Sequence, residues 1–413
     1  MPVMSLSDWI PEFARPENLW YVKRLSGNDT LANKAHQAGP YIPKEVVFQV
    51  VPSLRQMAGD NPRIDIEAFI DSHPDRRTVK AIWYNRKASE ARARNEARIT
   101  NWGGGASALL DPDSTGALAV FVFVGASGGA DVSSLHVWVC EGYEDEVIED
   151  RIGPIEPGRA IVWRPGDALP GGLFAPSPKI LAPCRLAPEA MPAGWLAKFP
   201  TGADIVRKAV ELRPLQNEHA DQRLLQRRAC EYEIFRSVEE AVEGNRIAQG
   251  FDSIDSFVER ALTILQRRKA RSGRSLELHA REILLEEGFA EGQDFSHSPT
   301  SEGDKKPDFL FPSQAAYQNK DFPSDRLRML ASKTTMKDRW RQILNEADRI
   351  GRKHLLTLQE GVSENQFAEM EAASVQLVVP EPLIEKYPEK VQPKLMTVRD
   401  FLSEIRELSV GQG

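Results

Sequence analysis

An aspartate, a lysine and a glutamate in the C-terminal half of this 413-residue chain are the side-chain types that phosphodiester hydrolysis needs. Asp308 follows Pro307 and opens the apolar run Phe309-Leu310-Phe311; Lys333 closes the run Met329-Leu330-Ala331-Ser332; Glu346 comes after Lys337-Asp338-Arg339. An acid and a lysine at adjacent strand ends, with one more acid on the following helix, can hold a divalent metal and polarise a water beside a phosphate. In that arrangement Asp308 and Glu346 would ligate Mg²⁺ through hard carboxylate oxygens, waters and a phosphate oxygen completing the shell. Lys333 would orient the attacking water and stabilise charge developing on the phosphorus. The bland alternative is a surface aspartate and an unrelated glutamate-lysine pair.

Other polar groups suggest recognition rather than catalysis. Lys337, Asp338 and Arg339 offer donor, acceptor and donor near a helix start, a set suited to base edges in a major groove, although Asp338 also suits the positive end of a helix dipole. Arg92, Arg94, Glu96 and Arg98 alternate at a spacing of two, which on a strand places all four on one face, as DNA-gripping groups or as a solvated charge run. His36 and Tyr41 lie in a Gly- and Pro-containing loop. Glu277 and Glu282 are two further acids able to join the metal site, with no choice between them. His279, on an apolar face, reads as a core histidine, and the basic run Arg267 to Arg271 reads as a favourable helix C-terminus.

The elements that must position these groups fall into two halves. Short runs rich in β-branched and aromatic residues (Lys44 to Val51, Thr78 to Tyr84, Leu118 to Val124, Leu135 to Cys140, Ala160 to Trp163) make residues 1–170 β-rich. Recurrent prolines make 171–200 a linker, its apolar residues packing in part against a domain. Residues 201–413 switch to helices over Thr201 to Leu212, Ala220 to Glu243, Ser253 to Lys269 and Ser275 to Glu287, then to an alternation of strands and helices that argues for an α/β core. Hydrophobic residues at 41% and charged residues at 27% describe a soluble globular chain with material for two cores. No apolar run reaches membrane-spanning length and no signal peptide is visible, so a cytoplasmic location is expected. Net charge of -7 disfavours indiscriminate adhesion to nucleic acid without excluding a basic cleft. Cys140, Cys184 and Cys230 lack paired spacing and read as buried free thiols.

With these residues in view, the chain resembles the EcoRII restriction endonucleases over nearly its whole length. The likeness is carried by Lys306 to Ser313, Ala331 to Thr335, Lys337 to Ile350, His354 to Gln359 and Val378 to Glu381. It implies a C-terminal restriction-endonuclease-like α/β core of the PD-(D/E)xK type, in the variant whose last acid has moved to the following helix. Asp308, Lys333 and Glu346 occupy the catalytic positions, Ser332 stands where the usual second acid would, and Tyr317 matches a tyrosine assigned to the active site. Lys337, Asp338 and Arg339 match the segment that reads CC:GG pairs. The resemblance further implies an N-terminal pseudobarrel like the plant B-three DNA-binding domain, which takes up an effector copy of the target through His36, Tyr41, Arg92, Arg94, Glu96 and Arg98 and otherwise screens the cleft. It implies a Mg²⁺-dependent homodimer, joined through the C-terminal domains, that belongs to a restriction-modification system and cuts 5′-CCWGG before the first cytosine. Base-flipping residues are expected near Arg227 to Arg236. A catalytically idle, sequence-specific DNA-binding regulator is the alternative.

Overall fold

The computed structural model describes residues 4–33, 39–85, 95–165, 184–303 and 305–410. They divide into two compact units, one of Met1–Pro178 with Gln359–Gln366 and Lys386–Val391, the other of Lys179–Leu358 with Phe367–Glu385 and Gln392–Gly413.

The first unit is built on a seven-stranded half-barrel sheet. Its strands are β1 (Leu19–Arg24), β2 (Arg63–Ile70), β3 (Asp75–Tyr84), β4 (Glu96–Thr100), β5 (Leu118–Val124), β6 (Ser134–Val139) and β7 (Ala160–Trp163), in the order β4-β3-β2-β6-β5-β1-β7. Every pairing is antiparallel except β2 with β6. Strand β5 is covered on both faces: Ala119, Phe121 and Phe123 join one core, while Leu118, Val120 and Val122 join another that includes Trp9, Trp20 and Trp138. A strand buried on two sides needs no polar alternation, hence the unbroken run Leu-Ala-Val-Phe-Val-Phe-Val. Helices α1 (Leu6–Phe13), α2 (Lys44–Val50) and α3 (Glu144–Ile152) complete the unit.

Helix α2 corrects the strand expected over Lys44 to Val51. Its β-branched residues carry strand propensity, but Val46, Val47, Phe48 and Val50 are buried in the core, and that burial outweighs a preference worth at most about 1 kcal/mol. Strand β2 was not expected, because its exposed positions Arg63, Asp65 and Glu67 carry charges that dilute the apolar signal, whereas β4 holds Glu96 and Arg98 at the strand spacing their alternation offers.

The second unit holds a five-stranded sheet in the order β12-β11-β10-β9-β8, comprising β8 (Ser296–His297), β9 (Phe309–Phe311), β10 (Arg328–Lys333), β11 (Lys353–Thr357) and β12 (Val375–Val378). Strands β10, β11 and β12 run parallel, while β9 is antiparallel to both β8 and β10. Around the sheet lie α4 (Gly202–Leu212), α5 (Ala220–Gln249), α6 (Ile254–Glu286), α7 (Gln314–Gln318), α8 (Glu364–Ala372) and α9 (Val398–Val410). Thr201 and Asp204 form the capping box that starts α4. Among the described residues no helix is long and apolar enough to cross a membrane.

Helix α6 is continuous where two helices were expected, with Gly273 inside it. The basic run therefore sits mid-helix and cannot cap a C-terminus. Instead Arg267, Arg268 and Arg271 reach across to Glu243, Glu239 and Glu231 of α5 at 2.9, 2.7 and 2.6 Å. These cross-helix pairs, with Arg260 on Glu243, hold two long antiparallel helices together.

The cysteine expectation is also corrected: Cys184 and Cys230 form a disulfide, and only Cys140 is a buried thiol. A separation of 46 residues conceals the pairing, which arises because residues 184–199, within the stretch expected to be linker, fold back on α5. Leu186, Met191, Trp195 and Phe199 of that segment pack on the core of Ile205, Ala209, Ile234, Phe235 and Val238. The linker apolar residues Leu173, Phe174 and Ile180 lie outside the described residues.

Candidate active site

Strands β9 and β10 bring the first two candidate residues together. Phe309, Leu310 and Phe311 are buried, and the pairing of Phe309 with Leu330 leaves Asp308 at the mouth of the strand. The backbone N–H of Ser332 donates to Oδ2 of Asp308 at 2.6 Å. Lys333 is the next residue, last in β10 and in register with Thr357 of β11. Ser332 is buried, and its hydroxyl oxygen has no hydrogen-bond partner among the described residues.

Glu346 arrives from a different kind of element. Lys337–Asn345 is a 3₁₀ helix, and Glu346 follows it in extended conformation rather than lying on a helix. Trp340, Ile343, Ala347 and Ile350 are buried as the apolar periodicity suggests. Ala347 has a left-handed backbone (φ 51°), which ends the helical path and turns the chain toward β11.

Electrostatics tie the three together. Burial pushes Asp308 up to about 6; Lys333 opposes the rise, Glu277 adds to it, and the Ser332 N–H and His297 oppose it. Burial also raises Glu346 above the usual glutamate range, with Asp308 reinforcing and Lys333 and Lys353 opposing. Two partly desolvated carboxylates that repel each other around one lysine favour a further cation between them. Among the described residues no group of three or more His, Cys, Asp or Glu forms a metal cage. A pair of carboxylates beside the orphan Ser332 hydroxyl suits an ion such as Mg²⁺, which keeps several of its waters and is bound through one or two acids.

Of the two acids left open, Glu277 of α6 is the one within electrostatic reach of Asp308. Burial would raise it, but hydrogen bonds from Nε2 of His297 (2.6 Å) and Oγ of Ser298 (2.9 Å) hold it below the usual range. Glu282 pairs with Arg281 instead. His279 is buried among Glu231, Arg228, Arg271 and Arg227, and burial lowers it to about 3, so it is a neutral interior group. Glu277 belongs to a helix far from Asp308 in sequence, and no local pattern chooses it over Glu282.

Tyr317 is buried, with 3% of its surface exposed. Its hydroxyl donates to the carboxylate of Glu302 and accepts from the backbone N–H of Arg349, and Arg349 in turn donates to the carbonyls of Asn319 (2.9 Å) and Phe322 (2.7 Å). The tyrosine therefore ties Glu302 to the backbone of Arg349, three residues beyond Glu346. Lys337 (φ 23°) and Arg339 sit at the start of the 3₁₀ helix, close in sequence to Lys333, and the side chain of Asp338 lies outside the described residues.

In the first unit, Tyr41, Glu96 and Arg98 are brought together. The Arg98 guanidinium lies over the Tyr41 ring at 5.2 Å and pairs with Glu96 at 3.1 Å. Lys44 and Trp83, which carry no signal in the sequence as site residues, bond to Asn95 beside them. His36, Arg92 and Arg94 lie outside the described residues.

Comparison with known proteins fits this layout. The family model for the EcoRII N-terminal region matches residues 14–167, and the model for the EcoRII C-terminal region matches residues 235–402. A type II restriction enzyme, EcoRII of Escherichia coli, is 42% identical over 404 residues, covering 97% of this chain and 97% of that one. The chain belongs to the EcoRII family. The identity spans both units, so the EcoRII-type pairing of an N-terminal half-barrel with a C-terminal α/β part extends to the whole protein, and the coarse activity of the family is restriction-endonuclease cleavage. Among solved structures, metal-depleted Ecl18kI in complex with uncleaved DNA overlaps at TM-score 0.42 and 20% identity, covering 52% of this chain and 81% of that one. The B3 domain of UbaLAI restriction endonuclease with cognate DNA overlaps at TM-score 0.25 and 18% identity, covering 38% and 97%.

Proposed function

We propose that this EcoRII-family protein is a Mg²⁺-dependent, type IIE restriction endonuclease that hydrolyses both strands of 5′-CCWGG before the first cytosine. The observation that carries the reading is the cluster at the ends of β9 and β10, where Asp308 and Glu346 share the charge of Lys333. A pure DNA-binding regulator has no use for two desolvated acids around a lysine, and this argues against the idle-binder alternative.

Asp308 and Glu346 are the metal ligands in this reading, with Glu277 as an outer carboxylate that biases Asp308. A bound Mg²⁺ would supply Lewis-acid polarisation of the scissile phosphate and lower the pKa of a coordinated water. The remaining work falls to the chain. The Ser332 N–H fixes which oxygen of Asp308 faces the site. Lys333 donates to the attacking water and to the phosphate oxygens as negative charge grows on them. Tyr317 serves the same reaction by tying Glu302 to the backbone of Arg349. Lys337, Asp338 and Arg339 read the CC:GG pairs from the turn that follows Lys333, where the backbone couples recognition to the lysine.

Effector DNA is taken up by the first unit through Tyr41, Glu96 and Arg98, together with His36, Arg92 and Arg94, and relieves screening of the cleft. Two copies of the chain, joined through their C-terminal domains, cut the two strands. The domain division proposed is 1–170 for effector binding, 171–200 as linker and 201–413 for catalysis. Digestion of one-site and two-site plasmids with Mg²⁺, followed by mapping of the ends, tests all of this together. Ends at CCWGG and faster cutting of the two-site plasmid are expected; no cutting in the presence of Mg²⁺ would return the protein to the class of binders.

A further inference from the structure

A metal ligand has to be held to within about 0.5 Å, and in a sheet the ladder does this without help. Glu346 has no ladder. It is an extended residue between a 3₁₀ helix and the left-handed Ala347. Its geometry must come from side chains that close on that turn.

Two such side chains approach the turn. Lys353, the first residue of β11, is 5% exposed, and its Nζ donates to the carbonyl oxygens of Glu346 and Ala347 at 2.5 Å each. Successive carbonyls gripped by one ammonium fix the peptide plane that carries the Glu346 side chain. Next along the chain, the N–H of Asp348 donates to Oε2 of Glu302 at 3.3 Å, and the other oxygen of Glu302 accepts from the Tyr317 hydroxyl. Burying an ammonium is costly unless its donors are used, and here two of the three are spent on the two residues that place the acid.

We propose that Lys353 is the positioning residue for Glu346, with Glu302 as its counterpart on the following peptide. The inference rests on the functional reading above, in which Glu346 is a metal ligand. Lys353 touches neither substrate nor metal. It acts by fixing where the carboxylate of Glu346 stands relative to Asp308, so its effect is on metal affinity and turnover and not on DNA recognition.

The test uses the full chain and two variants. Lys353→Met keeps the apolar stem and removes the donors; Glu302→Ala removes a partly exposed acceptor at little risk to folding. Mn²⁺ binding to the protein alone is followed by loss of the free aqua-ion signal in electron paramagnetic resonance. DNA binding without metal is followed by gel shift, and cleavage is titrated with Mg²⁺. Both variants are expected to bind Mn²⁺ about tenfold to a hundredfold more weakly, the usual cost of losing an outer-shell partner. Their Mg²⁺ midpoints should shift in step, with DNA affinity unchanged. Wild-type Mn²⁺ affinity in both variants overturns the proposal, as does a loss of DNA binding equal to the loss of metal. If Lys353→Met does not fold, Lys353→Gln, which keeps a polar end of similar reach, replaces it, and wild-type Mn²⁺ affinity in that variant overturns the proposal. Wild-type protein that binds Mn²⁺ but never cuts DNA sinks the functional reading instead.

Discussion

The backbone N–H of Ser332 donates to Asp308 across 2.6 Å, so the strand that ends in Lys333 also aims the acid that opens its neighbour. Lysine and aspartate are thereby set by one sheet. Replacing Lys333 with Ala is expected to abolish cleavage, by about a hundredfold or more, while leaving binding to CCWGG intact. Parallel gel-shift and plasmid-digestion assays read the two quantities, and cutting at the wild-type rate would remove Lys333 from the mechanism.

Asp308 should cost the fold stability at neutral pH. Its carboxyl sits at about 6 in the folded chain against 3.8 when unperturbed, so the native state holds the proton more tightly than the unfolded state does. Stability from this group is therefore present at low pH and is lost as pH rises from about 4 through 6. The shift corresponds to roughly 2–3 kcal/mol. Asp308→Asn should unfold at higher urea than wild type at pH 8 in the absence of metal, with the gap narrowing toward pH 4. An unchanged gap across that range would mean that the carboxyl is not strained in the folded state.

In the proposed mechanism the same group sets an acid limb on activity. Ligation needs the ionised carboxylate, so the cleavage rate at fixed Mg²⁺ is expected to fall as pH drops through about 6. Because cation and proton compete for one site, raising Mg²⁺ should move the inflection to lower pH. A rate that stays flat to pH 5 at limiting Mg²⁺ would contradict this.

Glu231 of α5 is buried, with its oxygens on Arg271 (2.6 and 2.9 Å) and Ser275 (2.9 Å). Burial alone would raise it, but the charge and hydrogen bonds of Arg271, followed by the charge of Arg228, outweigh burial and hold it below the usual range. Glu231→Ala leaves these cations uncompensated in the interior, a loss of about 3–5 kcal/mol for a broken buried pair. Urea denaturation measures it, and a change under about 1 kcal/mol would show that water already reaches the pair.

The Cys184 to Cys230 disulfide closes a loop of 46 residues, for which chain entropy gives at most about 4 kcal/mol. Cys184→Ser should lower the unfolding free energy by up to that amount without reductant. Dithiothreitol should bring wild type down to the variant; equal stability without reductant would show that the bridge does not form in solution.

Much of this architecture is legible in the sequence where burial and propensity agree. The runs that became β5 and β6 are rich in apolar, β-branched and aromatic residues, and their strands follow directly. Asp308 and Lys333 are legible for the same reason, each marking the end of such a run. Reading fails where tertiary structure overrides local preference. Valines in α2 became helical through burial, and Gly273 is tolerated in α6 because the ion pairs with α5 bridge it on both sides. The spacing of Trp340 and Ile343 by three suits a 3₁₀ turn as well as an α-helix, so Glu346 was expected on a helix it does not occupy. Contacts such as Glu277 with His297, or Cys184 with Cys230, are spatial and have no local signature.

The orphan hydroxyl of Ser332 and the extended backbone of Glu346 have a joint consequence. Of the three residues proposed for catalysis, Asp308 and Lys333 are mounted on the sheet and Glu346 on a non-repetitive turn, so they do not share one rigid frame. Withdrawing the glutamate breaks no strand pairing; it requires only the release of a few side-chain bonds from Lys353 and Glu302. An enzyme laid out in this way can be disarmed and rearmed while its sheet stays intact, as a safety catch moves without dismantling the lock.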